Sequence, residues 1–181
     1  MADILENAEA DLTPMMRNLI EMLWGEWKIV EQQIEELTRK LEQISASDAG
    51  CCRIRKIPGI GPIVATAIVA AIGNGAAFRK SRDFAAWLGL VLRQYSTGGK
   101  AKLLGISKRG NTYLRKVLIH GARAAAMRIK RDRAPIGAWM DALEARAPRD
   151  VLVVAMANKL GRIAWAVLSS GNEYRPATVP A

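Results

Sequence analysis

Histidine is almost missing from this 181-residue chain, His120 being the only one, and cysteine occurs just twice, as the adjacent pair Cys51 and Cys52. These scarcities exclude a zinc ribbon, a disulfide framework and a CxxC dithiol site. A secretory leader is not expected either, because the first residues, MADILENAEADL, are acidic where a signal needs a basic start and an apolar core. The longest uncharged apolar run, Pro62 to about Ala77, contains two glycines and an asparagine and falls short of the roughly 20 residues of a membrane span. The reading is therefore a protein with no transmembrane helix, located in the cytoplasm. Half of the residues are hydrophobic and 24% are charged, which excludes a disordered tail. At 19.8 kDa the chain can form one domain plus an appendage.

Acidic residues are scarce in one part of the chain and concentrated in another. Residues 1–50 hold eleven acids against four bases, a net of −7, whereas the remainder holds six acids against twenty-three bases, a net of +17. Between Arg79 and Arg131 fourteen lysines and arginines stand against one acid, Asp83. Ordinary surfaces intersperse the two signs. A one-sided concentration attracts a polyanion, of which nucleic acid is the usual one.

Periodicity points to an all-α fold. Thr13-Pro14 reads as a helix N-cap and first helical position. From there Met16, Ile20, Leu23, Trp27, Val30, Ile34, Leu37, Leu41 and Ile44 alternate steps of four and three, a seam of four heptads. Met15, Leu19, Met22 and Ile29 add a second stripe to the first half. A helix of this length, about 50 Å, outruns a small domain, so the expectation is a homodimer through residues 14–46, ended by the SASDAG stretch. Ser81 is expected to cap a short helix with Phe84, Trp87 and Leu88 inward. Thr112 to Arg131 is expected to be helical with Lys116, Arg123 and Lys130 along one face, able to track a phosphate strand. Pro135 breaks the chain; Ile136–Arg146 and Val151–Ser169 form the last helices, the second capped by Asp150 and stopped by Gly171. The expected organisation is a long acidic helix over 1–50, a basic helical domain over 51–170 and a disordered tail over 171–181.

Two segments carry the chemistry. In CCRIRKIPGIGPIVATAIVAAIG the Ile57-Pro58-Gly59-Ile60-Gly61 run resembles the helix-hairpin-helix motif. Gly59 and Gly61 let the backbone turn tightly and present N–H groups at a helix N-terminus to a phosphate. Arg53, Arg55 and Lys56 lie just upstream. The second segment, VLRQYSTGGKAKLLGISKRGN, reads as a loop with Arg93, Lys100, Lys102, Lys108 and Arg109, the glycines Gly98 and Gly99, the Ser96-Thr97 pair and no acid. It lacks the GxxxxGK[ST] spacing of a P-loop.

The stretches IPGIGPIVATAIVAAIG, FRKSRDFAAWLGL, RQYSTGGKAKLLGISKRGN and YLRKVLIHGARAA, in that order from Ile57 to Ala126, resemble the C-terminal domain of insertion sequence 110 family transposases. The resemblance implies a DNA recombinase guided by a structured RNA. Its separate RuvC-like domain would bind magnesium through an Asp-Glu-Asp-Asp set, and Ser96 would attack a scissile phosphate. In the family pattern the serine directly precedes glycine, where this chain has Thr97, and Leu92 stands where proline is frequent. The chain itself offers no four-carboxylate cluster and no cofactor of its own, and it reads as a fragment lacking the metal domain. The site residues expected to touch nucleic acid are Gly59, Gly61, Arg93, Gly98, Gly99, Lys100, Lys102, Lys108, Arg109, Arg115, Lys116 and Arg123. The alternative is an inactive remnant that binds DNA or RNA as an accessory or regulatory protein.

Overall fold

The computed structural model describes residues 12–97, 100–132, 134 and 136–176. Seven helices and one two-stranded sheet are formed by these residues: α1 (Pro14–Ser47), α2 (Ala49–Ile54), α3 (Pro62–Ile72), α4 (Ser81–Trp87), β1 (Leu92–Thr97), β2 (Lys100–Ile106), α5 (Thr112–Arg128), α6 (Gly137–Glu144) and α7 (Arg149–Ser170). The chain divides into two compact units, Met1–Lys40 and Leu41–Ala181.

Thr13 caps α1, its hydroxyl accepting from the Met16 amide at 3.3 Å. The seam is unpartnered in the single chain. Met16, Leu23, Trp27, Val30, Ile34, Leu37 and Ile44 are all exposed, with Trp27 at 63%. Ser45 is the one buried residue of the helix, accepting from the Arg55 guanidinium at 3.0 Å while its hydroxyl donates to the Glu42 carbonyl. α1 gives way to α2 at Asp48, whose carboxylate accepts from the Cys51 amide at 2.7 Å.

In the second unit α7 is the central helix, packed against α2, α4, α5 and α6. Its Leu152, Val153, Met156, Ala157, Leu160 and Ala164 meet Ile54, Ile68, Phe84, Leu88, Leu114, Leu118 and Met140 in one core. Phe84 is fully buried and lies 5.3 Å from Phe78 and 6.0 Å from Trp87, ring centre to ring centre. α7 corrects the expectation that no helix is long enough to cross a membrane. An 18-residue stretch within its 22 residues reaches a mean hydropathy of 1.6, but half of that stretch is buried inside the domain. The apolar character of α7 is thus spent on the core.

Helix ends differ from expectation in small ways with local causes. α4 is capped by Lys80, in extended backbone, whose amide donates to the Asp83 carboxylate at 3.1 Å; Ser81 is already helical. α5 stops at Arg128, so Lys130 lies beyond the helix carrying Lys116 and Arg123. α7 begins at Arg149 after Pro148, which makes Asp150 a first-turn residue rather than the cap, and Gly171 ends it in left-handed backbone. Pro135 lies outside the described residues. After Gly171 the chain is irregular, with Glu173 paired to Lys56 at 2.6 Å and Tyr174 packed against the core; residues 177–181 lie outside the described residues.

The larger departure is over residues 91–111. This segment is a β-hairpin, not a loop, with Leu92, Gln94, Tyr95, Ser96 and Thr97 opposite Ile106, Leu103, Lys102, Ala101 and Lys100. The register slips between Leu92 and Gln94, where one strand carries one residue more than the other.

Candidate nucleic-acid interface

The hairpin is held at its base by five consecutive carbonyls, every one of which finds a donor. Trp87 O accepts from the Asn111 amide at 3.2 Å, Gly89 O from the Lys108 amide at 3.1 Å and Val91 O from the Ser107 amide at 2.8 Å. The other two are taken by side chains: Arg115 donates to Leu88 O at 3.0 Å, and Asn158, on α7, donates to Leu90 O at 2.9 Å. The returning strand passes so close that a Cβ on Gly110 would strike the Trp87 carbonyl. Lys108 adopts left-handed backbone there, φ 55°, a conformation rare outside glycine. Beyond this base the ribbon packs mainly on itself. Leu92, Tyr95 and Leu103 are 55%, 62% and 63% exposed.

Ser96 is therefore presented to solvent on a ribbon whose root is fixed. Gln94 and Ser96 are two apart on one face, and the Gln94 side-chain amide donates to Ser96 Oγ at 2.8 Å. Thr97 takes the next position, opposite Lys100, and Gly98 and Gly99 lie outside the described residues. Arg93, Lys102, Lys108 and Arg109 are exposed on or beside the ribbon.

Arg115 needs a correction. Sequence reading placed it among the phosphate contacts, but it is only 9% exposed and spends its guanidinium on Leu88 O and, at 3.2 Å, the Thr112 hydroxyl. Its neighbours Lys116 and Arg123 are exposed on α5, as is His120. Asn158 was invisible to sequence reading, since nothing in an apolar helix announces a bond to a carbonyl 68 residues away.

The second basic feature is the turn between α2 and α3. Gly59 has φ 88°, and a Cβ there would lie 2.8 Å from Gly121 O and 2.9 Å from Ala125 Cβ, so the turn crosses α5 at two facing glycines. Gly61 is different: it caps α3 in extended backbone with open space around it. The first-turn amides of a helix have no intrahelical partner, and Gly61 brings no side chain to satisfy them. A shallow cavity of about 510 Å³ lies over this turn, walled by Arg55, Lys56 and Arg128. Arg128 was not foreseen; it reaches the turn because α5 passes behind it. The Lys56 ammonium beside Glu173 holds that carboxyl below its usual value. A larger cavity, about 1470 Å³ and mostly apolar, opens at the ribbon root between Leu90–Leu92, Trp139 and α7.

Among the described residues no group of three or more His, Cys, Asp or Glu side chains comes together to hold a metal ion. The magnesium implied by the resemblance has no seat among them.

Residues 51–135, which contain the turn, the ribbon and α5, match the family described as Transposase IS116/IS110/IS902. This segment belongs to that transposase family. The chain is 43% identical over 173 residues to a probable family 20 transposase of Pseudomonas aeruginosa, covering 96% of this chain and 51% of that protein. The transposase for insertion sequence element IS1328 of Yersinia enterocolitica is 40% identical over 166 residues, covering 92% of this chain and 50% of that protein. The transposase for IS1111A of Coxiella burnetii is 38% identical over 172 residues, covering 95% and 47%. The chain thus spans about half the length of the curated transposases it matches.

Proposed function

We propose that this chain is the DNA-binding, serine-bearing part of a transposase, working in the cytoplasm with a metal-binding RuvC-like domain that carries magnesium. The observation that carries this reading is the Ser96 hydroxyl, exposed on a ribbon fixed at its root, within a stretch from Phe84 to Arg131 that contains no acid. Ser96, or its neighbour Thr97, supplies the oxygen that attacks a scissile phosphate. Serine is a weak nucleophile until a base activates it, which is why a second domain is part of the proposal.

Phosphates bind at two places in this reading. One is the helix-hairpin-helix turn, with Gly59 shaping it, Gly61 leaving the α3 amides open, and Arg55, Lys56 and Arg128 around it. The other is the ribbon and adjoining α5, through Arg93, Lys100, Lys102, Lys108, Arg109, Lys116 and Arg123. Such contacts fix position on a backbone without reading bases, which suits an enzyme directed by a structured guide RNA. The α1 seam joins two copies as a homodimer.

The test is binding of the chain to duplex DNA, a four-way junction and a structured RNA across a salt series. The expected slope of log affinity against log salt corresponds to five or more phosphate contacts, at about 0.9 per contact on duplex. A flat, ligand-indifferent response would sink the reading. Salt-dependent binding with no Ser96-dependent strand exchange, in an assembly that supplies the metal domain, would instead make the chain an accessory DNA- or RNA-binding protein.

A further inference from the structure

We propose that the Gln94 carboxamide prepares the Ser96 hydroxyl for attack by donating a hydrogen bond to Oγ; this rests on reading Ser96 as the nucleophile and says how it is set up. The two residues occupy alternate positions of β1, so their side chains leave the same face, and Nε2 lies 2.8 Å from Oγ. A hydroxyl has one proton to give and two lone pairs to accept with. Accepting from Gln94 fixes one lone pair and leaves the Oγ proton free to be given to something else. From Phe84 to Arg131 there is no aspartate or glutamate, and the single histidine, His120, sits on the exposed side of α5. The ribbon thus brings a donor to the nucleophile but no base, and the base is a carboxylate delivered by the second domain.

The step balances without any redox partner. The Oγ–P bond forms and the bond from phosphorus to the departing deoxyribose oxygen breaks. The hydroxyl proton passes through the incoming carboxylate to that departing oxygen. One phosphodiester is exchanged for another. Negative charge builds on Oγ as its proton leaves, and again when a strand displaces Oγ from the phosphoserine, so the Gln94 hydrogen bond is strongest at both moments of reaction. The bond singles out Ser96 because Gln94 stands two positions before it.

Two experiments test this. In ¹H–¹⁵N spectra of the full chain, the Gln94 side-chain amide resonances are expected to move on Ser96→Ala; no movement would overturn the proposal. The chain is then completed with the remaining half of the Pseudomonas aeruginosa relative, and formation of a serine–DNA adduct is timed. Gln94→Ala is expected to slow the adduct by about tenfold to a hundredfold with DNA affinity unchanged. Gln94→Glu, isosteric but unable to donate when ionised, is expected to be equally slow at neutral pH. It should recover relative to wild type as pH falls through the carboxyl range near about 4.3, a response that a purely structural residue would not give. Wild-type rates in Gln94→Ala overturn the proposal and leave Ser96 as nucleophile. Weakened DNA binding in Gln94→Ala overturns it by making Gln94 a contact residue. Absence of any adduct with the wild-type chain removes the nucleophile reading and this proposal with it.

Discussion

Asp48 joins two helices, its amide donating to the Ile44 carbonyl of α1 at 3.1 Å and its carboxylate capping α2. The Cys51 amide, donating to its carboxylate, is the largest cause of a carboxyl held below its usual value. A depressed folded value means the cap contributes fully above the unfolded value near about 3.9 and is lost as pH falls through the folded one. Urea unfolding is therefore expected to show a drop in stability below about pH 4 that is smaller in Asp48→Asn, while Asp48→Ala loses about 1 kcal/mol at neutral pH. The two motif glycines separate by the same kind of reasoning. Gly59→Ala meets both a left-handed backbone and the Gly121 carbonyl, and is expected to cost about 2–4 kcal/mol. Gly61→Ala meets open space and ordinary φ, so its stability should stay within about 0.5 kcal/mol of wild type. Thermal unfolding distinguishes them, and a weaker affinity for duplex in Gly61→Ala would then report on the phosphate site alone.

At the scale of elements, α1 and α3 to α7 were legible because each carries a run of apolar or small residues or a start or stop signal, α1 through its heptads and its Thr13-Pro14 start, whereas the six-residue α2 begins inside the SASDAG stretch that was read only as a stop. The ribbon was not. Strand reading depends on alternation between a buried and a wet face, and here Leu92, Tyr95 and Leu103 are exposed along with the polar residues between them. With neither face buried the period of two disappears, and glycines among lysines read as a loop. Arg115 was misplaced for a related cause: spacing along a helix shows which residues share a face, not that a neighbouring carbonyl, Leu88 O, waits for a guanidinium. Arg115→Leu leaves that carbonyl unpaired inside the domain and is expected to cost about 2–3 kcal/mol. Lys116→Ala, one residue on and exposed, should change unfolding by less than about 0.5 kcal/mol.

At the scale of the whole molecule, the sequence showed its division of charge and its seam plainly, and both are consequences of composition rather than of packing. What it could not reveal is where the boundary of the basic unit lies. The last turns of α1 belong with that unit because Ser45 is buried against Arg55, a bond made by two residues with no sequence signature between them. In the homodimer reading, Leu23→Asp with Ile34→Asp places two charges in the seam and is expected to halve the mass seen by light scattering; an unchanged mass would reject the seam as the interface. In the same reading the exposed seam makes the helicity of α1 depend on protein concentration. In that reading α1 takes its order from a second copy, because a helix whose apolar seam is exposed gains little from tertiary packing. On dilution below the dissociation constant, ellipticity at 222 nm should fall by the contribution of one long helix while the basic unit stays folded. The melting curve should then separate into two transitions, only the first of which moves with concentration.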